Sequence, residues 1–299
     1  MHRHLEEEDW TLILERIDDG ECTPFLGAGA CYGVLPLGCD IANEWAKKHD
    51  YPLKDSCSDL AKVTQFLAVK YDRLYPKGRL IKQFGGLKPP DFTEFDEPHS
   101  VLAELPLPVY ITTNYDDYMI QALKFVEKEP KRYLCPWNSY LRKRQAKGEP
   151  DTDLNPSPKR PIVYHLHGHT GIKQSMVLTE DDYLDFLISI SKDQDLLPPK
   201  IQEAFAGTTL LFMGYRLSDW DFRVLFRSIV SYLEKSIAAS HVSVQLVSGQ
   251  EETSVSEIEK AQEYLNEYFG KLEISVFWGT CREFAAELRR RWKEFQREK

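Results

Sequence analysis

What this 299-residue chain lacks narrows its function before any motif is read. No stretch approaches the roughly 18 consecutive apolar residues of a membrane-spanning helix, and the charged start, residues 1–9, is unlike a secretion signal. The six cysteines (Cys22, Cys31, Cys39, Cys57, Cys135 and Cys281) include no CxxC pair, so neither a disulfide framework nor a zinc ribbon is expected, and no metal site is assigned. These traits lead us to expect a cytoplasmic protein with reduced thiols. Positive charge is also short: the formal net charge of −9 argues against broad nucleic-acid coating, because nonspecific binding to phosphates relies on Lys and Arg. One local exception runs from 128 to 160, where nine Lys and Arg stand against four acids. A solvated insertion accounts for it more simply than a polyanion site. Internal repeats and low-complexity segments are missing too.

What is present points to a layered fold. With 42% hydrophobic residues, the chain can bury one large core, alone or with a small accessory lobe. Six short apolar runs, at 23–26, 109–113, 162–166, 209–213, 242–247 and 273–278, each stop at a polar or glycine turn. Most are apolar throughout instead of alternating, which is how a parallel strand covered on both faces reads. Helical periodicity follows at 39–49, 114–126, 179–190, 219–234, 254–269 and 282–295. Alternation of this kind predicts an α/β fold: a doubly wound, Rossmann-like, parallel six-stranded sheet. We read residues 1–299 as a single domain with a helical insertion at about 52–99 and a loop insertion at about 128–161. The first insertion, with Leu60, Val63, Phe66, Leu67 and Val69 at helical spacing, is placed as a lid over the sheet.

Polar residues gather where these strands end. The first strand runs into Gly27-Ala28-Gly29, the second into Thr112-Thr113-Asn114-Tyr115-Asp116, the third into His165-Leu166-His167-Gly168, and the fourth into Gly214-Tyr215, with Asp219, Asp221 and Arg223 close behind. A glycine loop between strand and helix lets backbone N–H groups approach a pyrophosphate. The spacing here, G-x-G-x-x-x-G, is not the dehydrogenase fingerprint, and a structural turn remains an alternative reading. Asp219 also suits a helix N-terminus, and Arg223 an ion pair with it one turn on. Those local explanations leave aside the coincidence of four such turns at the carboxyl ends of parallel strands, where open α/β sheets bind ligands. His165 fits a buried, hydrogen-bonded histidine better than a pocket residue, and His169 fits a loop. Tyr115, Trp220 and Trp278 suit packing, and Cys31 a small apolar filler.

Taken in order, these segments resemble the sirtuin (silent information regulator) family over about residues 23–223. The resemblance implies that Asn114 and His167 are the catalytic pair and that Asp116 shapes the nicotinamide pocket. It implies further that Gly27, Ala28, Gly29, Thr113, Gly214, Tyr215 and Asp219 bind NAD. Deacylases of the family carry a four-cysteine zinc module after the HG turn, whereas this chain has no cysteine between Cys135 and Cys281. It also lacks their arginine-bearing segment after the glycine loop, and is closer to the zinc-less branch of prokaryotic antiphage systems. Members of that branch hydrolyse NAD, and some work with HerA-type ATPases. The expected activity is therefore NAD+ hydrolysis to nicotinamide and ADP-ribose, with NAD as substrate and no metal. In that chemistry the Asn114 carboxamide oxygen would hold water below ribose C1′, and His167, titrating near physiological pH, would accept a proton. A homo-oligomer, a HerA-type ATPase or a separate sensor would restrain the enzyme. Two alternatives stand beside this reading: a regulatory subunit that binds NAD or ADP-ribose without turnover, and a protein deacylase.

Overall fold

Seven parallel strands make one sheet in the order β3-β4-β2-β1-β5-β6-β7. They are β1 (Cys22–Leu26), β2 (Val109–Thr112), β3 (Lys131–Leu134), β4 (Ile162–His165), β5 (Thr209–Met213), β6 (His241–Gln245) and β7 (Ile274–Trp278). The computed structural model describes residues 5–147, 155–215, 241–245, 255–271 and 273–299. Its helices are α1 (Glu7–Asp18), α2 (Gly38–His49), α3 (Leu60–Lys70), α4 (Tyr75–Phe84), α5 (Pro98–Glu104), α6 (Tyr118–Phe125), α7 (Ser139–Lys147), α8 (Glu180–Lys192), α9 (Pro199–Gly207), α10 (Val255–Gly270) and α11 (Cys281–Glu298). The doubly wound α/β reading stands, and all six expected strands are there. The helix expected at 219–234 lies outside the described residues.

The sheet exceeds the expected six strands by one, β3, which sits inside the segment read as a loop insertion at 128–161. Its sequence Lys-Arg-Tyr-Leu has no apolar run, because β3 is an edge strand that, among the described residues, pairs with β4 alone and leaves two positions exposed. Much of the local basic charge is used within the fold. Arg132 pairs with Asp117, Arg142 lies 3.2 Å from Asp193, and Lys128 donates to the Leu105 carbonyl at 2.6 Å.

Successive strand residues enter opposite layers. Tyr110, Val163 and Leu211 pack with Trp10, Leu102, Met119 and Phe284 of α1, α5, α6 and α11. Ile111, Tyr164, Leu210 and Phe212 pack with Leu141, Phe186 and Phe205 of α7, α8 and α9. Both faces are thus covered, which explains the uniformly apolar strands.

The 52–99 insertion, expected as a lid over the sheet, is docked on the chain that follows the HG turn. With α2, its helices α3 and α4 bury Trp45, Val63, Leu67 and Leu80 against Met176 and Leu178. Thr64 Oγ1 donates to the Leu178 carbonyl (2.9 Å), Gln65 and Asp181 exchange two hydrogen bonds, and Lys77 meets Asp182 at 2.8 Å with both side chains buried. Among the described residues, no helix is long and apolar enough to cross a membrane.

The winding reverses between β1 and β5. From β1 the chain builds β2, β3 and β4 on one side, then crosses back to lay β5, β6 and β7 on the other. Open α/β sheets place their ligand crevice at such a point, beyond the carboxyl ends of the strands. The Gly27 and Gly214 turns border it, and the Asn114 turn follows from the adjoining strand β2.

Candidate active site

At the switch point the β1 and β5 turns are stitched together through their backbones. Gly27 N–H donates to the Met213 carbonyl (2.9 Å) and Gly29 N–H to the Gly214 carbonyl (3.0 Å). Gly214 has φ +82°, and a Cβ there would lie 2.2 Å from Ala30 N, so no other residue fits. Tyr215 tilts over Phe25 at 5.2 Å, donates its hydroxyl to the Leu26 carbonyl (2.8 Å) and accepts from Thr113 Oγ1 (2.7 Å). Gly27, Gly29, Gly214, Thr113 and Tyr215 therefore do come together, but several serve one another. Two of the three G-A-G amides are engaged within the fold. The exposed Ala28 keeps an N–H with no partner among the described residues. Asp219 lies outside the described residues.

Asn114 and His167 stand level with each other. Thr112 and His165 are register partners of β2 and β4, and each candidate lies two residues beyond its strand's last pair. Asn114 is buried at 9% exposure. Its backbone N–H donates to Thr112 Oγ1 (2.9 Å), and its carboxamide Nδ2 donates to the Gly27 carbonyl (3.0 Å) and points to Cys31 Sγ (3.4 Å). Because the NH2 is committed inward, Oδ1 is left without a donor among the described residues. Asp116, expected to shape the nicotinamide pocket, has both carboxylate oxygens engaged within the fold. Its Oδ1 accepts from Tyr118 N–H (2.9 Å), delaying the start of α6 from the expected 114 to Tyr118, and its Oδ2 accepts from Cys31 Sγ (3.6 Å).

His167 sits in an aromatic slot, edge-on to Tyr183 (5.3 Å) and Phe186 (4.9 Å) of α8. Burial brings its pKa down to about 3. The expectation of titration near neutral pH is therefore corrected: away from water and without a carboxylate partner among the described residues, this imidazole stays neutral across the physiological range. Gly168 turns the chain at φ +83°, where a Cβ would meet the Ser175 carbonyl at 2.1 Å. Val177 N–H closes the turn on the His167 carbonyl at 2.9 Å.

The neighbouring histidines are structural. His165 is buried with Nδ1 donating to the Asn114 carbonyl (3.1 Å), and burial lowers its pKa to about 3. His169, expected in a loop, is buried as well. Gly171 N–H donates to its Nδ1 (2.9 Å), which leaves Nε2 carrying hydrogen 3.2 Å from Asp117. Burial would raise the Asp117 carboxyl, but His169 and Arg132 outweigh it and hold its pKa at about 2. Tyr115 donates to the Val177 carbonyl (2.5 Å), and Trp278 packs on the sheet. Trp220 lies outside the described residues.

Sequence reasoning missed Glu97 and His99. Both are buried, at 1% exposure, and they place a carboxylate–imidazole pair behind Cys31. The only sequence signal was the Glu97-Pro98 step, an acid before a proline at a helix start, and it lay at the tail of a segment read as insertion. Cys31 is buried as expected, but as more than an apolar filler, since its sulfur meets Asp116, Asn114 and His99. Burial, then Asp116, pushes its thiol well above the usual range, so it is no nucleophile. Among the described residues, no group of His, Cys, Asp and Glu is placed to hold a metal ion.

Relatives named NAD(+) hydrolase ThsA align with parts of this chain. The one from Cytobacillus dafuensis is 29% identical over 178 residues, covering 58% of this chain and 30% of the relative. That from Enterococcus faecium is 30% identical over 132 residues, covering 42% and 23%. That from Acinetobacter baumannii (strain 532279) is 23% identical over 229 residues, covering 75% and 42%. The chain thus spans less than half the length of the curated relatives it matches. A solved Sir2 enzyme aligns over 97% of this chain and 99% of its own at 10% identity, with a TM-score of 0.38, too loose to bear on the fold. The SIR2-like domain matches residues 108–271, more than half of the sequence and inclusive of the Asn114, His167 and Gly214 turns, and the chain accordingly belongs to the SIR2-like domain family.

Proposed function

We propose that this chain hydrolyses NAD+ at the nicotinamide–ribose bond, releasing nicotinamide and ADP-ribose, and that it acts as an NAD-depleting effector in antiphage defence. The observation that carries the proposal is the Asn114 carboxamide, locked with its NH2 on Gly27 and its oxygen without a donor among the described residues, level with a neutral His167 at the switch point of the sheet. Cleavage of this bond builds positive charge on the ribose. Asn114 Oδ1 is an acceptor suited to orient the attacking water against that cation. His167, being neutral, adds no like charge beside it and can accept a hydrogen bond from the water or a ribose hydroxyl. Ala28 N–H, at the mouth of β1 and without a partner among the described residues, is a backbone donor for the pyrophosphate. Asp116, held by Tyr118 N–H and Cys31, steadies the Asn114 turn. The NAD(+) hydrolase relatives support this reading.

We further place the protein in the cytoplasm as a single domain, restrained through a homo-oligomer, a HerA-type ATPase or a separate sensor. The test is to incubate purified protein with NAD, alone and with co-expressed neighbouring proteins, and to quantify nicotinamide and ADP-ribose beside Asn114→Ala and His167→Ala. We expect cleavage by the parent chain and a loss of about 100-fold or more in each variant. NAD that binds yet stays intact under every condition would replace this proposal with a non-catalytic, NAD-binding regulator.

A further inference from the structure

Behind the Asn114 turn lies a buried polar chain that the hydrolytic scheme leaves unused. The Glu97 carboxylate caps α5, accepting from His99 N–H (3.1 Å) and Ser100 N–H (2.5 Å), and it also accepts from His99 Nδ1 at 2.7 Å. The far side of the same ring, Nε2, faces Cys31 Sγ at 3.9 Å. That sulfur meets Asp116 Oδ2 at 3.6 Å and Asn114 Nδ2 at 3.4 Å. Three side chains, His99 of α5 and Asn114 and Asp116 of the β2 turn, therefore converge on one thiol of the β1 loop.

The thiol has a single hydrogen, and this forces a choice. When His99 is doubly protonated, Nε2–H faces the sulfur, and the S–H is left for Asp116. When His99 is neutral, Nδ1–H still belongs to Glu97, so Nε2 is a bare acceptor and the S–H turns to it. Asp116 then loses that donor, and the contact from Asn114 Nδ2 to the sulfur meets altered geometry. The groups facing His99 are Glu97 on its own segment, Cys31 from the β1 loop, Asp116 from the β2 turn, and Tyr118 of α6, edge-on at 6.0 Å. Beyond Ser100 stands Arg289 of α11, engaged by Glu104 and the Glu94 and Phe95 carbonyls. Burial works against a charged ring, yet Glu97 and then Asp116 outweigh it, and His99 holds its second proton more tightly than a free histidine.

We propose that Glu97, His99 and Cys31 form a positioning relay that fixes the Asn114 carboxamide with its oxygen toward the crevice, and that turnover depends on His99 carrying its second proton. The kinetic arm rests on the hydrolase proposal; the positioning arm does not. Three variants test it: His99→Gln, Glu97→Gln and Cys31→Ala, the last leaving the α5 cap and the Glu97–His99 pair whole should the others fail to fold. We expect kcat to fall about 100-fold, the cost of a small misplacement of a reacting group, with KM within about twofold, because ground-state binding is untouched. Removing the Glu97 charge weakens proton binding at His99, so the alkaline limb of the kcat profile in Glu97→Gln moves to lower pH. In asparagine-labelled protein, with Asn114→Ala assigning the signal, the Asn114 NH2 protons lose their protection from exchange in Cys31→Ala and His99→Gln. Parent-like kcat with parent-like exchange in Cys31→Ala, or an unmoved alkaline limb in Glu97→Gln, overturns the relay. A parent chain that never cleaves NAD defeats the hydrolase proposal alone, and the exchange measurement then decides the relay by itself.

Discussion

Replacing Asp182 with asparagine removes the carboxylate that meets Lys77 in the interior. Lys77 Nζ lies 2.8 Å from Asp182, with the two side chains 2% and 0% exposed, and Arg73 reaches the other oxygen at 3.0 Å. The neutral amide leaves Lys77 buried without its partner, a change that costs about 3–5 kcal/mol. Against a total stability of roughly 5–15 kcal/mol this is severe, and it corresponds to a drop in Tm of about 6–10 °C at roughly 2 °C per kcal/mol for a chain of this size. Burial would raise the Asp182 pKa, but Lys77 and the Thr179 and Leu178 N–H groups hold it below the usual value. Its contribution is therefore present above a pH of about 3.9 and fades only as pH falls through the lowered folded value. The gap between variant and parent should then be the same at pH 7 and pH 5. A double change, Lys77→Met with Asp182→Leu, removes both charges and should recover most of the loss. It should stay about 1–2 kcal/mol below the parent, because the Leu178 and Thr179 N–H groups lose their acceptor. Urea and thermal unfolding followed by circular dichroism read all three proteins. A single variant that melts within about 2 °C of the parent would refute the argument that this pair docks the insertion.

Two further outcomes follow from burial. His165 and His167 bind protons in the folded chain only near pH 3, and His241 near 4, whereas the unfolded chain takes them up near 6.5. Falling pH then favours unfolding below about 6.5, by up to about 1.4 kcal/mol per pH unit for each histidine. His99 works in a different window, since its stabilisation is already full below 6.5 and is lost only as pH rises through its raised folded value, so it leaves the acid-side effect unchanged. Urea midpoints that do not fall between pH 6.5 and 5 would contradict neutral burial of the three rings. Separately, brief alkylation of native protein should label Cys39 and Cys57, which are partly exposed, and spare Cys22, Cys31 and Cys135. Burial pushes the Cys22 and Cys135 thiols up to about 12, and mass spectrometry that finds Cys31 modified as fast as Cys39 would count against its place in the interior.

The sheet was legible because burial on both faces leaves a strong mark: Tyr110 and Ile111 face opposite layers, yet both had to be apolar. β3 was illegible for the converse reason, since an edge strand with two exposed positions has no need of apolar residues. The strand-end placement of Asn114 and His167 was legible from where the apolar runs stop. The electrostatic state of His167 could not, because the rings that desolvate it, Tyr183 and Phe186, come from a helix thirteen or more residues on. Glu97 and His99 were hidden by sequence distance: His99 meets Cys31 across 68 positions, and no local pattern announces such a contact. The glycine loop was read as a set of free amides, whereas Gly27 and Gly29 spend theirs on the β5 turn.

β1 lies between β2 and β5, in the middle of the sheet. The region that carries the family match, 108–271, begins long after β1 has ended. Cut to that region, the chain would bring β2 and β5 to the edges of a gap one strand wide, with the Met213 and Gly214 carbonyls stripped of the amides that now meet them. The part of the protein that kinship makes recognisable is thus not a part that can stand alone. Any minimal fragment, split reporter or grafted domain built from this chain has to begin upstream of Cys22.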